Sequence, residues 1–260
     1  MLGLGSSLST SGGSAFVDKY SIVFDGDDYL NTGATFQSTY RGSFSWSFWM
    51  KPDDGQPSGN KHLLGSDNTA DEDAFYLELN SAGKIQIRHE ANDDSAFYQA
   101  DAAVYANGAG AWKHICVTIT YNNGGADTSY VIYVNGSAIA ATLTNAVTEG
   151  NHENWTSTEN TFIGNVNGAG SAPSPGNPFT GKMDDVALFN VALDADAVTA
   201  IYNSGVPFNL INNKGNYDNA SALVGYWRME EGTTIYDQTG NGNNATLVGD
   251  PTFSTDTPDD

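Results

Sequence analysis

Between Ser43 and Met50 the chain reads Ser-Phe-Ser-Trp-Ser-Phe-Trp-Met. Successive side chains of a strand point to opposite faces, so Phe44, Trp46, Phe48 and Met50 line one face and Ser43, Ser45 and Ser47 the other. Trp49 breaks the alternation, which predicts a central strand buried on both sides. The same period of two recurs along the chain. Phe75, Leu77 and Leu79 alternate with Tyr76, Glu78 and Asn80. Ser81-Ala-Gly-Lys84 then turns the chain into Ile85 and Ile87, predicting a hairpin over 74–89. Tyr130–Val134 runs into Asn135-Gly136, a pair that favours the tight turn of a hairpin, with a return through Ala138–Leu143. Phe162–Gly164 and Met183–Phe189 supply further strands. One helix is predicted, Asp194–Tyr202, with acidic residues in its first turn and Gly205 and Pro207 beyond its end. A chain of 260 residues with this pattern is all-β, as one large domain or two small ones.

Five segments also occur in a telling order: Ser21-Ile-Val-Phe-Asp-Gly-Asp-Asp-Tyr-Leu30, Phe44–Pro52, Trp112–Tyr121, Tyr130–Gly136 and Gly181-Lys-Met-Asp-Asp-Val-Ala-Leu-Phe-Asn190. In this order they resemble the laminin-G-like family of concanavalin A-type jelly rolls, over about residues 20–205. The resemblance implies an antiparallel β-sandwich with a short helix after the Asp184-Asp185 strand. Leu223–Gly232 and Asp237–Val248 resemble the family's opening strands, yet here they come last. Only 12 residues follow Val248, too few for a second jelly roll. We therefore expect one permuted domain over 19–260, with 206–260 supplying strands that usually come first, the alternative being that this half-motif completes a neighbouring copy. Residues 1–18 are rich in Gly and Ser and read as an extended arm.

Carboxylates outnumber Lys plus Arg by 31 to 10, a net charge of −21. Such a field repels phosphate backbones and excludes nucleic acid as a partner. No apolar run is long enough to insert across a bilayer. The lone Cys116 lies in an apolar strand and reads as a packed core side chain. The first 13 residues carry no basic residue and no apolar stretch of useful length, unlike a secretory signal. Because laminin-G-like domains usually work outside cells, the expectation is a virion or extracellular location. The arm would then join the protein to other virion or surface proteins in a larger assembly. A secreted adhesin and a glycoside hydrolase are the alternatives.

Hydrolysis needs two carboxylates flanking the bond. Alternation places Glu72, Ala74, Tyr76 and Glu78 on one strand face, without the middle carboxylate that the resembled laminarinase-type enzymes carry there. The expectation is therefore a non-catalytic protein. The four histidines lie in no serine or cysteine motif. For a structural Ca²⁺, which takes six to eight oxygens, the candidates are Asp25 and Asp27, and Asp237 with Asn241 and Asn243. Asp67–Asp73, Asp184 and Asp185 also offer oxygen donors. For a glycan or protein ligand, the aromatic candidates are Tyr98, Tyr105 and Trp155, the last within a polar stretch read as a loop.

Overall fold

The computed structural model describes residues 16–259, apart from 69–72, 93, 123–126, 169–171 and 174–176. The strands run β1 Ser21–Phe24, β2 Tyr29–Asn31, β3 Phe44–Pro52, β4 Lys61–Asn68, β5 Asp73–Leu79, β6 Ile85–Ala91 and β7 Asp94–Ala100. There follow β8 Lys113–Thr120, β9 Ser129–Val134, β10 Ser137–Ala138, β11 Ala141–Thr144, β12 Phe162–Ile163, β13 Asn167–Gly168 and β14 Ala172–Pro173. The last are β15 Gly181–Phe189, β16 Leu223–Trp227, β17 Thr234–Ile235, β18 Ala245–Val248 and β19 Thr252–Ser254. They form two antiparallel sheets, as the resemblance implies. One has the order β10-β9-β8-β3-β15-β1-β19 with β16 also on β15, and the other the order β11-β7-β6-β5-β4-β12-β2-β18-β17. A separate two-stranded ribbon pairs β13 with β14.

The core between the sheets is built from the predicted alternation. Phe44, Trp46, Phe48 and Met50 of β3 face Phe75, Leu77, Leu79, Ile85 and Ile87 of the opposite sheet, all fully buried. Trp49 points the other way. It packs 5.2 Å from His114 and 5.8 Å from Tyr202, under the helix α3, Ala195–Tyr202. This outer layer buries Cys116, Phe189, Val198, Ile201, Tyr217 and Tyr226 in a second apolar cluster. The eight-stranded sheet is thus covered on both faces, which is why β3 carries apolar residues on both. Asp194 caps α3 by accepting from the Ala197 N–H at 2.8 Å.

The C-terminal segment completes this sheet within the same chain. β15 pairs with β1 through Gly181–Met183 and with β16 through Val186–Phe189. A bulge between Asp184 and Ala187 separates the two stretches on its β3 side, and Asp185 there has φ of 45°. Trp227 of β16 stacks on Trp46 at 6.3 Å in the main core.

Two local expectations need correction. The Asn135-Gly136 hairpin forms, with φ of 50° and 76°, but its return strand is only β10. The chain then crosses to the other sheet, where β11 pairs with β7. Second, α3 is joined by two short helices, α1 at Gln37–Tyr40 and α2 at Glu149–Glu153. Of the expected arm, residues 1–15 lie outside the described residues. Its last three touch their own domain: the Arg228 guanidinium lies 4.3 Å over the Phe16 ring and donates to the Val17 carbonyl at 2.9 Å.

Candidate functional site

On β5 the core takes Phe75, Leu77 and Leu79, so Ala74, Tyr76 and Glu78 face outward from the nine-stranded sheet. Register carries this face across neighbouring strands. Glu78 lies opposite His62 on β4 and Gln86 on β6, and Gln86 opposite Gln99 on β7. Tyr76 lies opposite Arg88, and Arg88 opposite Phe97. Asp67 and Glu90 complete the strip beside Ala74. Here a β-sheet face that usually carries scattered polar groups holds a connected network instead.

The base of the strip is buried and fixed. The Glu78 carboxylate accepts from Gln86 Nε2, from Asn60 Nδ2 at 3.3 Å, and lies 3.3 Å from His62 Nε2. Burial works against its charge, yet these bonds hold it below the usual carboxylate range. Asn80 donates to Gln86 Oε1 at 3.0 Å and to Gln99 Oε1 at 2.9 Å. Above this base stand half-exposed groups. Arg88 bonds Glu90 Oε1 at 2.6 Å and lies 5.8 Å from the Phe97 ring centroid. Burial, then the neighbouring Glu90, pushes the Asp67 carboxyl up to about 6. Tyr76 sits edge-on to His62 at 5.2 Å, its hydroxyl pushed up to about 12 by burial and then by Glu78. Gly65, with φ of 144°, lies opposite Tyr76, where an added Cβ would come 2.2 Å from the Phe75 carbonyl oxygen. Toward β12 and β2 the same face closes: Tyr29 and Phe162 stack at 4.6 Å and are buried.

The aromatic candidates fall elsewhere. Trp155 is fully buried, 5.2 Å from Tyr40 and 6.0 Å from His89, and offers no platform. Its polar neighbours form α2, from which His152 is buried as well, and Trp155 turns into the core beside it. Tyr105 is also buried, donating to the Met50 carbonyl at 3.0 Å. Tyr98 lies on the inner side of β7, half-buried and stacked on Tyr130 at 5.8 Å. None of the three reaches the outer strip.

Asp237 is ringed by donors rather than carbonyls. Its carboxylate accepts from Tyr226 N, Thr239 N, Thr239 Oγ1 and Asn243 N, at 2.7–3.1 Å. Asn241 and Asn243 donate to the Val224 carbonyl at 3.3 and 2.7 Å. The loop holds β16 in place, and its N–H and O–H groups satisfy an anion, which corrects the reading as a cation cradle. Asp25, Asp27 and Asp28 do come together, with oxygens within 4.8 Å of one another. Asp28 is occupied, accepting from Asp25 N at 3.1 Å and Asp250 N at 2.7 Å, while Asp25 and Asp27 are exposed. Glu72, the far carboxylate of the hydrolase alternative, lies outside the described residues. Asp73 is buried and accepts from Thr156 N at 2.5 Å and Thr156 Oγ1 at 2.9 Å.

Comparison with known proteins agrees with this architecture. Residues 24–199 match the family described as the concanavalin A-like lectin/glucanases superfamily. No curated protein matches the sequence. Among solved structures, one similar chain is a Bacteroides ovatus protein described as carbohydrate binding (TM-score 0.58, 19% identity). The match covers 92% of this chain but 60% of that one, so the chain spans well under the full length of that relative. A second is the CBM40 module of a Ruminococcus gnavus IT-sialidase (TM-score 0.51, 17% identity, 73% and 100% covered). A third is a heptameric SAP-like pentraxin of Limulus polyphemus (TM-score 0.50, 13% identity, 90% and 96% covered). At these identities the likeness is one of fold.

Proposed function

Since the chain belongs to the concanavalin A-like lectin/glucanase superfamily, we propose that it is a non-catalytic glycan-binding protein that uses the outer face of the nine-stranded sheet. The observation that carries this reading is the strip of Asp67, Tyr76, Arg88, Glu90 and Phe97 over the fixed base of His62, Glu78 and Gln86. Sugars present hydroxyl pairs and apolar C–H faces. Carboxylates, a guanidinium and aromatic rings on one rigid surface match both. Glu78, the described carboxylate of the hydrolase alternative, is saturated by donors and held low, which disfavours it as the general acid of a glycosidase. The printed descriptions of the Bacteroides ovatus protein and of the CBM40 module, the latter also solved with α2,3-sialyllactose, lend support from the same fold. With a net charge of −21, neutral glycans are the expected ligands, since polyanionic ones are repelled. The comparisons lend no support to a place in a virion or to partners held by the arm. Among the described residues, no helix is long and apolar enough to cross a membrane.

Affinity electrophoresis against neutral and acidic polysaccharides tests the reading. Tyr76→Ala and Arg88→Ala should each weaken retardation on the neutral gels at least tenfold, roughly the loss of one well-made contact, while melting within a few degrees of the parent. Unchanged retardation in both variants, or no retardation of the parent on any gel, would sink the proposal.

A further inference from the structure

α2 lies against the core between the sheets, and beneath it two imidazoles meet. His89 of β6 and His152 of α2 are both fully buried, their ring centroids 5.1 Å apart and their planes at 85°. Neither ring has room for a second proton. His89 Nδ1 lies 2.9 Å from the Tyr130 hydroxyl, and its Nε2 has no hydrogen-bond partner among the described residues. His152 Nε2 lies 3.0 Å from the Gly42 carbonyl, to which only a protonated nitrogen can donate, so the unpartnered Nδ1 carries the lone pair. Charging either ring would bury an N–H without an acceptor, and charging both would set two cations side by side. The walls are aromatic: Phe75 at 5.9 Å and Trp155 at 6.0 Å from His89, and Tyr121 stacked on His152 at 5.1 Å. Ionic groups act only from around them. Glu153 takes the Tyr121 hydroxyl, Asp94 accepts from Thr148 N and Oγ1 at 2.8 and 2.6 Å, Asp127 acts on Tyr130, and Arg41 Nε donates to the Trp155 carbonyl at 2.6 Å.

We infer that His89 and His152 form an acid-released latch: neutral, they let α2 seat Trp155 in the core, and once protonated they drive the segment 147–157 away from it. The charge environment agrees. Burial first, then His152, holds His89 well below the ordinary imidazole range, and burial also lowers His152 against the Gly42 carbonyl and Glu153, which raise it. In the released segment both rings reach water and titrate near 6.5. The open form therefore binds more protons, so closure is firm above that pH and weakens as the pH falls below it. Asp94, held low by its Thr148 bonds, keeps its grip on α2 down to the ordinary carboxylate range and below, which leaves the pH 7–5 window to the histidines. The same segment braces three strands. Thr156 Oγ1 donates to Asp73 at the start of β5 at 2.9 Å, Asn151 takes Asn92 Nδ2 just after β6 at 2.8 Å, and the Glu159 carbonyl takes Ser66 Oγ of β4 at 3.2 Å. Release would loosen this end of the nine-stranded sheet while the rest stays folded.

Hydrogen exchange of the full chain, read by mass spectrometry and corrected for the intrinsic effect of pH, tests the latch without any sugar. Between pH 7 and 5 the opening of 147–157 should rise by at least about twentyfold, what one ring titrating near 6.5 delivers over that span. Peptides from β3 and β8 should keep their protection. His152→Gln and His89→Gln should each cut the rise severalfold, with far-UV circular dichroism confirming the fold. His114→Gln, on the other face of the eight-stranded sheet, should leave the rise as it is in the parent. Two outcomes in the parent, which need no variant to fold, would overturn the latch: a flat response of 147–157, or an equal rise in β3 and β8, the mark of global unfolding. An undiminished rise in folded His152→Gln and His89→Gln would overturn it too.

Discussion

His114 shows what burial does to a single titrating side chain. It is fully buried beneath Trp49 and Tyr202, with Nε2 2.8 Å from Ser47 Oγ, and burial pulls its pKa down to about 3. The unfolded chain takes up a proton near pH 6.5 while the folded chain does not. Stability from this group is therefore present above that pH and falls as the pH drops, by roughly 1.4 kcal/mol per unit. His114→Gln should flatten the loss in urea-unfolding stability between pH 6.5 and 4.5 by about that slope; parallel curves for parent and variant would contradict it. Single residues were also where the sequence was hardest to read. Alternation on β5 correctly put Tyr76 and Glu78 on one face, because the period of two is a backbone property. It could not say that Arg88, Phe97 and His62 lie beside them, since register across strands depends on distant pairing. Trp155 looked exposed because its neighbours are polar, but one indole turning into the core leaves no trace in local composition.

Among the elements, α3 was legible nearly to the residue, because its cap and its apolar face are both local signals. Asp194 supplies the only side-chain cap bond of that helix in the described structure. Asp194→Ala should cost about 1 kcal/mol. In a chain of this size that is a fall of roughly 2–4 °C in Tm, measurable by scanning calorimetry, and a Tm unchanged within one degree would contradict it. The crossing from β10 to β11 was not legible. Ala138–Leu143 is apolar enough to continue a hairpin, and only packing decides that Ala141–Thr144 pairs with β7 instead. The bulge in β15 was equally hidden. Asp184-Asp185 reads as a strand start, and nothing local shows that the pair bends inward toward Asp18.

At the scale of the whole molecule, segments distant in sequence share one sheet edge. β19 covers β1, pairing Ser21 with Ser254 and Ile22 with Phe253. Ser21 Oγ donates to the Asp256 carbonyl at 2.8 Å. The Asp256 carboxylate takes Lys51 Nζ at 2.7 Å, Lys182 Nζ at 2.9 Å and Trp112 Nε1 at 2.8 Å, which together outweigh burial and hold it well below the usual range. Removing 251–260 should strip these bonds and bare the β1 edge. At about 1 kcal/mol for each of these four lost contacts, Tm should fall by roughly 8–16 °C, and the exposed edge should promote dimers detectable by light scattering. A monomer melting like the parent would contradict this. The overall sandwich was readable early because five motifs in order constrain it jointly, whereas the β1–β19 pairing joins segments too short to announce themselves. Their arrangement has a mechanical corollary. Chain leaving the sheet before Ser21 and after Ser254 departs from the same end of the β1–β19 pair, so tension applied through residues 18 and 257 would peel that pair one rung at a time instead of shearing it whole. The Lys51, Lys182 and Trp112 contacts to Asp256 stand just beyond the first rung and would carry the load before any rung does. In a single-molecule pulling trace Asp256→Asn should lower the force of the first rip, and an unaltered first rip would place the resistance elsewhere.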